Sequence, residues 1–286
     1  MPALLALMSG VISIQIGAAL AKGLFSEATV LGASMLRLGC AAVIFSLWTQ
    51  PWRFRLRFDQ IRPMIFYGAS LGAMNLCFYL SLARLPLGVA VALEFLGPLT
   101  LAAARSRSPT EWLWVALAGL GGALTPDWRT SAAGLHLTPE SFIGAGFALA
   151  SGAFWAGYIL LGRQAGEEGA RAALTIGALT AFIVAAPFGV MAAGGKLLRP
   201  ELLGAGFGVA LLSSVIPYSF DMFALKRLDA RIFGLLTSLE PATGALAGLV
   251  LLGEHLTLLQ LAGLALIVSA SAGCLSRGRK DPTEPL

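Results

Sequence analysis

Residues 84–100 read RLPLGVAVALEFLGPLT and contain a single carboxylate, Glu94, one helical turn before Pro98. The rest of this stretch between its two ends is apolar, so a helix formed here would bury the acid. A second stretch, RLDARIFGLLTSLEPAT at residues 227–243, again places an acid, Glu240, directly beside a proline. The two stretches lie 143 positions apart, which indicates that the chain uses one helical element twice.

Further residues coincide at this same spacing, without a gap. The matching pairs are Ser70/Ser213, Arg84/Arg227, Leu85/Leu228, Pro98/Pro241, Thr100/Thr243 and Glu111/Glu254. Arg, Pro and Glu are scarce in this composition, so their coincidence indicates an internal repeat. We therefore expect a first five-helix repeat over residues 1–130 and a second over residues 131–286, which ends in a short basic cytoplasmic tail.

The composition predicts an integral membrane protein. Of the 286 residues, 57% are hydrophobic and 12% are charged, and the mean hydropathy is +0.80, which leaves too little polar surface to coat a soluble domain. The net charge of +5 arises from short basic clusters between apolar runs, so we expect no nucleic-acid partner. The cysteines lie in apolar runs, the histidines stand apart, and no glycine set forms a phosphate cradle. We therefore expect no metal and no cofactor.

Apolar runs long enough to cross about 30 Å of hydrocarbon recur along the chain. We place ten of them, near residues 3–21, 28–48, 64–83, 86–104, 112–125, 141–161, 172–191, 202–224, 232–252 and 257–275. The first run has no basic region before it and no cleavage motif, so we expect a retained helix. The prediction is an all-α polytopic membrane protein with ten transmembrane helices.

The number of helices in each half determines how the halves are related. Because five is odd, each helix of the second half must run opposite to its counterpart, which makes the fold a five-plus-five inverted repeat. One side of the predicted membrane collects fourteen Lys and Arg residues and the other collects five. Positive residues accumulate on the cytoplasmic side, so both termini are predicted to be cytoplasmic.

Polar side chains inside the predicted helices are the candidates for a substrate site, because a charge in hydrocarbon is costly and usually faces a protein-lined interior. Helical spacing places Gln15 with Lys22, Asn75 with Tyr79, Glu94 with Pro98, and Ser151 with Trp155 and Tyr158 on common faces. Arg37, Tyr218, and Glu240 with Pro241 complete the set of candidates.

Structural roles compete with the functional ones for the charged candidates. Lys22 stands where the first helix ends, so its side chain can reach outward to the headgroups. Arg37 can instead pair with Glu94 or Glu240 and lock helices together. Both alternatives remain open at the level of sequence.

The two prolines are expected to interrupt their helices. Pro98 cannot donate to the carbonyl of Glu94, and Pro241 cannot donate to that of Thr237, so each helix should carry a free acceptor and a kink. Interruptions at matching positions of two halves also point to a transport site.

Taken together, these residues resemble the drug/metabolite transporter superfamily, EamA type, over the whole chain. Within it, the chain is most similar to the bacterial threonine/homoserine and aromatic amino-acid exporters. The similarity rests on the acid and proline elements at 86–98 and 238–241, on SIQIGAALAK at 13–22, on Pro217-Tyr218-Ser219 and on Leu252-Gly253-Glu254. It implies a carrier of the bacterial inner membrane that exports amino acids.

An amino-acid zwitterion would bind midway through the membrane, in a carrier that works by alternating access. Its carboxylate would meet Arg37 or Lys22 and the amides of Gln15 and Asn75. Its ammonium would meet Glu94 or Glu240. Its side chain would contact Tyr79, Trp155, Tyr158 and Tyr218, with Pro98 and Pro241 as gating positions.

Two other classes of function compete with amino-acid export. One is efflux of other small metabolites or cationic drugs, which an excess of unpaired acids would favour. The other is a membrane enzyme or a structural membrane partner, which would need a metal cluster, a nucleophile and base pair, or a soluble domain. The sequence leaves open which amino acid is moved, how transport is coupled, and whether the chain acts as a monomer or a homodimer.

Overall fold

The computed structural model describes residues 2–54, 57–105, 109–125, 128–131, 134–167, 169–225, 227–228 and 236–277. The first half forms α1 (Pro2–Gly23), α2 (Val30–Thr49), α3 (Phe58–Leu82), α4 (Leu87–Arg105) and α5 (Pro109–Leu124). The second half forms α6 (Pro139–Glu167), α7 (Ala170–Ala193), α8 (200–225), α9 (Glu240–Leu252) and α10 (Leu258–Arg277).

Short elements join these helices. A helical turn, Phe25–Ala28, follows α1, and 3-10 turns at Pro51–Arg53 and Gly194–Leu198 follow α2 and α7. Between α5 and α6, β1 (Trp128–Ser131) pairs antiparallel with β2 (Gly134–Leu137). The predicted boundary between the halves falls in this hairpin.

Seven helices within the described ranges are long and apolar enough to cross a membrane. Three further apolar helices are shorter, at Trp112–Leu124, Glu240–Leu252 and Leu258–Gly273. The ninth predicted run began at residue 232, whereas α9 begins at Glu240, and residues 229–235 lie outside the described part of the chain.

The eighth helix is not uniform. Its α-helical parts, Pro200–Ala210 and Ile216–Leu225, flank a π-helical segment, Leu211–Val215. Such segments are rare and occur frequently at functional sites.

The most extensive helix contacts all join the first half to the second. Three of these contacts, α2–α7, α4–α9 and α5–α10, each join a helix to its counterpart in the other half. The other six form three corresponding pairs: α3–α6 and α1–α8, α3–α7 and α2–α8, and α4–α6 and α1–α9. This set is unchanged when α1–α5 are exchanged with α6–α10 in order. The interior between the halves therefore has an approximate two-fold pattern.

Candidate functional site

Glu94 lies near the middle of α4 and is 7% exposed. Pro98, inside the same helix, has no N–H, so the Glu94 carbonyl lacks its helical donor. A Cβ atom at Gly152 of α6 would stand 2.4 Å from that carbonyl oxygen, and a Cβ atom at Gly97 would stand 1.9 Å from the Gly152 oxygen. Only glycine fits at these two positions, so α4 and α6 cross here with their backbones in contact.

The same crossing brings Ser151 of α6 against the Glu94 side chain. The Ser151 hydroxyl oxygen lies 2.5 Å from Glu94 Oε1 and 2.8 Å from the carbonyl oxygen of Met74 in α3. Trp155, one turn further along α6, packs edge-on against Phe95 with ring centroids 5.7 Å apart. Glu94 is therefore held between α3 and α6, with Trp155 nearby.

The Arg37 guanidinium of α2 is 5% exposed and binds α8. Its Nη2 donates to the Ser213 carbonyl at 2.9 Å, its Nε donates to the Ser214 hydroxyl at 3.4 Å, and it lies over the Tyr79 ring, 5.9 Å from the centroid. Arg37 interacts electrostatically with Glu94. Among the described ion pairs, however, none joins these two residues. The lock between Arg37 and Glu94 that the sequence allowed is therefore not formed.

Pro217 has no N–H, so one carbonyl of α8 lacks its helical donor. In α-helical register that carbonyl belongs to Ser213, and in π-helical register it belongs to Leu212. Instead, the Ser13 hydroxyl of α1 donates to the Leu212 carbonyl at 2.8 Å, and Arg37 donates to the Ser213 carbonyl. Side chains from α1 and α2 thus satisfy both acceptors.

Other buried polar groups are less completely bonded. Gln15 is 4% exposed, its amide oxygen has no partner among the described residues, and a Cβ atom at Gly244 of α9 would stand 3.1 Å from it. Asn75 donates to the Leu71 carbonyl within α3 at 2.9 Å. The buried Tyr79 hydroxyl makes no hydrogen bond of standard geometry among the described residues, although it interacts with Arg37. An unpaired buried polar atom costs about 1–3 kcal/mol, which a ligand could recover.

The central polar cluster, as we name it, consists of Arg37, Tyr79, Glu94 and Ser151, which the contacts above link to one another; Gln15 and Asn75 are buried on α1 and α3. Two aromatic candidates stack on rings of the first half. Tyr158 stacks on Tyr67 at 4.7 Å and accepts its hydroxyl hydrogen at 3.1 Å, and Tyr218 stacks on Phe45 at 6.2 Å. Tyr158 is seven residues beyond Ser151, about 10 Å along α6.

Lys22, at the C-terminal end of α1, is engaged elsewhere. Its ammonium forms an ion pair with Glu254 at 2.6 Å and donates to the Leu85 carbonyl at 2.7 Å. Glu254 also accepts the Leu87 backbone N–H at 2.7 Å, and it follows Gly253, whose left-handed backbone (φ 66°) ends α9. The structure therefore does not bring Lys22 into the central polar cluster. It ties α1 to the start of α4 and the end of α9, because Lys22 stands at a helix end.

Glu240 is the first residue of α9 and is partly exposed, and Pro241 is buried in the first turn. Residues 236 and 237 are helical, the backbone turns at Ser238 and Leu239, and the helix resumes at Glu240, so the helical path is interrupted directly before Pro241. Proline suits this position, since N–H groups of a first turn have no helical acceptor. Pro98 lies inside its helix, so the two acid and proline elements differ in structure.

Four serines of the interior were not assigned roles from the sequence. Ser151, Ser213 and Ser214 contact the candidates, and Ser13 bonds to the Leu212 carbonyl of α8. Ser151 was placed on the correct face of its helix, and Ser213 was noted only as a repeat match to Ser70. Pro217 was the signal that could have identified the Ser213 carbonyl, by the reasoning that applied to Glu94 and Pro98.

Comparison with known proteins identifies the family of this chain. Residues 142–275 match the model of the EamA-like transporter family. The threonine/homoserine exporter RhtA of Salmonella typhimurium (strain LT2) is 43% identical over 98% of this chain and 93% of its own. RhtA of Escherichia coli (strain K12) is 43% identical over 96% of this chain and 92% of its own.

A solved structure, described only as "Crystal structure of protein", has the same fold. It superposes with a TM-score of 0.58 at 19% identity and covers 95% of this chain and 96% of its own. The fold likeness extends over both halves, and the sequence likeness to the exporters extends over almost the whole chain. On these grounds the chain belongs to the EamA-like transporter family.

Proposed function

We propose that the protein is a secondary transporter of the bacterial inner membrane that exports amino acids of the threonine and homoserine class. The observation that carries this proposal is that the buried residues Arg37 and Glu94 interact without forming an ion pair. A zwitterion needs a cationic and an anionic partner together, and both are available here. The relatives at 43% identity are named threonine/homoserine exporters, which supports the same class of cargo.

Each end of the zwitterion has partners in the central polar cluster. Arg37 binds the carboxylate, since the two hydrogen bonds it makes to α8 use two of its five N–H donors. Gln15 and Asn75 supply amides beside it. Glu94 binds the ammonium, and Glu240 contributes a second acid from α9.

Aromatic residues are placed to contact the substrate side chain. Trp155 packs on Phe95 and would bound the side-chain space together with Tyr79. Tyr158 and Tyr218 stack on first-half aromatic rings and line the path along α6 and α8. A cationic drug is disfavoured because Arg37 would repel it.

Transport proceeds by alternating access between two inverted halves, residues 1–130 and 131–286, with both termini in the cytoplasm. The exchange pattern of the helix contacts supports this arrangement, as do the fourteen-to-five distribution of basic residues and the repeat at offset 143. The cluster is built from helices of one chain, so a monomer suffices for function.

The proposal is tested by counterflow in proteoliposomes. Liposomes preloaded with threonine or homoserine are expected to take up labelled threonine, whereas liposomes preloaded with choline or a drug cation are not. Exchange of cations alone would contradict the proposal. Phenylalanine is included to measure the size limit, and we expect slow exchange.

A paired substitution tests the role of Arg37. Arg37→Lys keeps the charge but loses the planar fork that reaches Ser213 and Ser214. We expect a folded protein with counterflow at least about tenfold slower, equivalent to about 1.4 kcal/mol, and a modest fall in melting temperature from the lost hydrogen bonds to α8. Arg199→Lys, on the surface, is the matched control and should transport normally. Wild-type exchange by Arg37→Lys would remove Arg37 from the site.

A further inference from the structure

The side-chain oxygen of Gln15 is a buried acceptor without a donor. Gln15 lies on α1 and is 4% exposed. Seven buried side-chain atoms in the described part of the chain have no hydrogen-bond partner, and six of them, five hydroxyl oxygens and the Arg84 Nε, can donate. The Gln15 Oε1 can only accept, so its hydrogen must come from a group that the described residues do not supply.

The groups around this oxygen offer it no side-chain donor. A Cβ atom at Gly244 of α9 would stand 3.1 Å from the Gln15 Oε1 and 3.3 Å from the Val91 Cγ2 of α4. The two helices cross closely here, because a Cβ atom at Gly88 of α4 would lie 2.6 Å from the Ala245 Cα of α9. The oxygen therefore faces glycine, alanine and valine side chains, none of which can donate a hydrogen bond.

Gln15 lies at about the same depth in the molecule as Glu94. Lys22, near the end of α1, pairs with Glu254, which also accepts from the Leu87 N–H at the start of α4. This contact ties the two helix ends together. Gln15 is seven residues back from Lys22 along α1, about 10 Å from the tie. Glu94 is seven residues on from Leu87 along α4, again about 10 Å.

A hydroxy amino acid can supply the missing hydrogen. The carboxylate of a zwitterion has no hydrogen to donate, and Glu94 takes the ammonium in the proposed site, so the side-chain hydroxyl is the remaining donor. Val91, which approaches the same point as the Gln15 oxygen, is three residues before Glu94, about 5 Å along α4. One small amino acid can therefore reach Glu94 with its ammonium and Gln15 with its hydroxyl, through hydrogen bonds of about 2.8 Å.

We propose that the Gln15 Oε1 accepts the hydrogen of the substrate's side-chain hydroxyl and so selects hydroxy amino acids over their apolar isosteres. The inference rests on the proposed function and assigns a partner to the one polar group that the zwitterion contacts leave unbonded. Threonine carries its hydroxyl on the carbon next to the one that bears the ammonium, and homoserine carries it one carbon further away. Valine and norvaline place a methyl group there instead, which leaves the Gln15 oxygen buried without a donor.

Binding of matched amino-acid pairs tests this site. Purified protein in detergent is titrated in a calorimeter with threonine and valine, and with homoserine and norvaline. In each pair a methyl group replaces the hydroxyl at nearly constant size. We expect the wild type to bind each hydroxy amino acid at least about tenfold more tightly than its isostere. Equal affinity within both pairs would overturn the hydroxyl site and leave the transport proposal intact, and this comparison needs no variant.

Gln15→Met keeps the length of the side chain and removes the acceptor. The variant also loses the amide N–H groups, so the measurement is the ratio of the two Kd values within each pair. We expect each ratio to fall to about one, because the hydroxyl no longer gains a partner. A purely structural role for Gln15 would weaken both members of a pair by the same factor, and unchanged ratios would overturn the inference.

Gln260→Met is the matched control. Gln260 is also a buried glutamine, but its Oε1 already accepts the Thr257 N–H at 2.9 Å, at the start of α10. Its two ratios should equal those of the wild type. Failure of the wild type to bind any of the four amino acids would instead overturn the proposed function.

Discussion

The charged residues of the interior fall into two kinds by their partners. Lys22 and Glu254 satisfy each other and also bond to backbone groups at the ends of two helices. Arg37 and Glu94 are more deeply buried and are hydrogen bonded to neutral groups. A pair that is already satisfied holds helices together, whereas charges without an ion partner remain available to a ligand.

This distinction predicts a measurable coupling between Lys22 and Glu254. Their side chains are 22% and 15% exposed, so solvent screens them only in part. Glu254→Gln keeps an oxygen for the Leu87 N–H and removes the charge, and Lys22→Met removes the other charge. In a double-mutant cycle of unfolding in detergent, we expect a coupling free energy of about 1 kcal/mol or more.

The control cycle uses Arg199 and Glu201, whose side chains are 58% and 72% exposed at 3.8 Å. Solvent screening should make their coupling close to zero. Additive effects at Lys22 and Glu254 would show that their ion pair does not stabilise the fold. Lost threonine binding in a folded Lys22→Met variant would return Lys22 to the substrate site.

At the residue scale, the sequence indicated which charges are unusual but not what they contact. Glu94 was conspicuous because it is an acid in an apolar helix, and the loss of its helical donor followed from Pro98 alone. The partners of Arg37 lie 176 and 177 positions away along the chain, so only the packing of α2 against α8 reveals them. The ion partner of Lys22 could not be foreseen for the same reason, because Glu254 is 232 positions away.

At the scale of elements, helix interruptions coincide with contacts between the halves. In α4 the carbonyl freed by Pro98 lies against Gly152, and in α8 the Leu212 and Ser213 carbonyls, five and four residues before Pro217, accept from Ser13 and Arg37. Inside a membrane a free backbone carbonyl must find such a partner. Pro187 of α7 also lies within a helix, but on an exposed position.

Pro217→Ala tests whether this interruption contributes to transport. The new N–H would compete with Ser13 and Arg37 for the α8 carbonyls and favour a regular helix. We expect threonine counterflow about tenfold slower, equivalent to about 1.4 kcal/mol, with no loss of melting temperature. Pro187→Ala makes the same chemical change at an exposed site and should leave counterflow unchanged. Equal slowing in both variants would trace the effect to general helix stiffness.

Element types were predictable here, whereas irregularities within them were not. Apolar runs long enough for a membrane predicted the helices, because burial of apolar surface dominates their placement. The π-helical segment 211–215 and the start of α9 at Glu240 depend on how backbone groups are satisfied by other helices. The β1–β2 hairpin depends on pairing across a short connection, which hydropathy does not report.

At the scale of the whole molecule, the site is built across the halves. Glu94 and Ser151 come from opposite halves, as do Arg37 and Ser213. A relative motion of the halves would therefore change the contacts of Glu94 and of Arg37 at the same time. This is the property that a carrier needs if binding a zwitterion is to be coupled to exposure on the other side.

The proposed inverted arrangement of the halves makes a prediction about topology that the charge of each loop alone does not. Loop 50–57 joins α2 to α3, and the corresponding loop 194–199 joins α7 to α8. Both loops contain basic residues, among them Arg53 and Arg57 in one and Lys196 and Arg199 in the other, so their own charge would place both in the cytoplasm. Five helices, α3–α7, separate the two loops, and five membrane crossings would place the loops on opposite sides of the membrane. Reporter fusions should therefore read cytoplasmic in loop 50–57 and after Lys280, and periplasmic in loop 194–199. The same side for both loops would mean that the halves run parallel, and the inverted repeat would then be wrong.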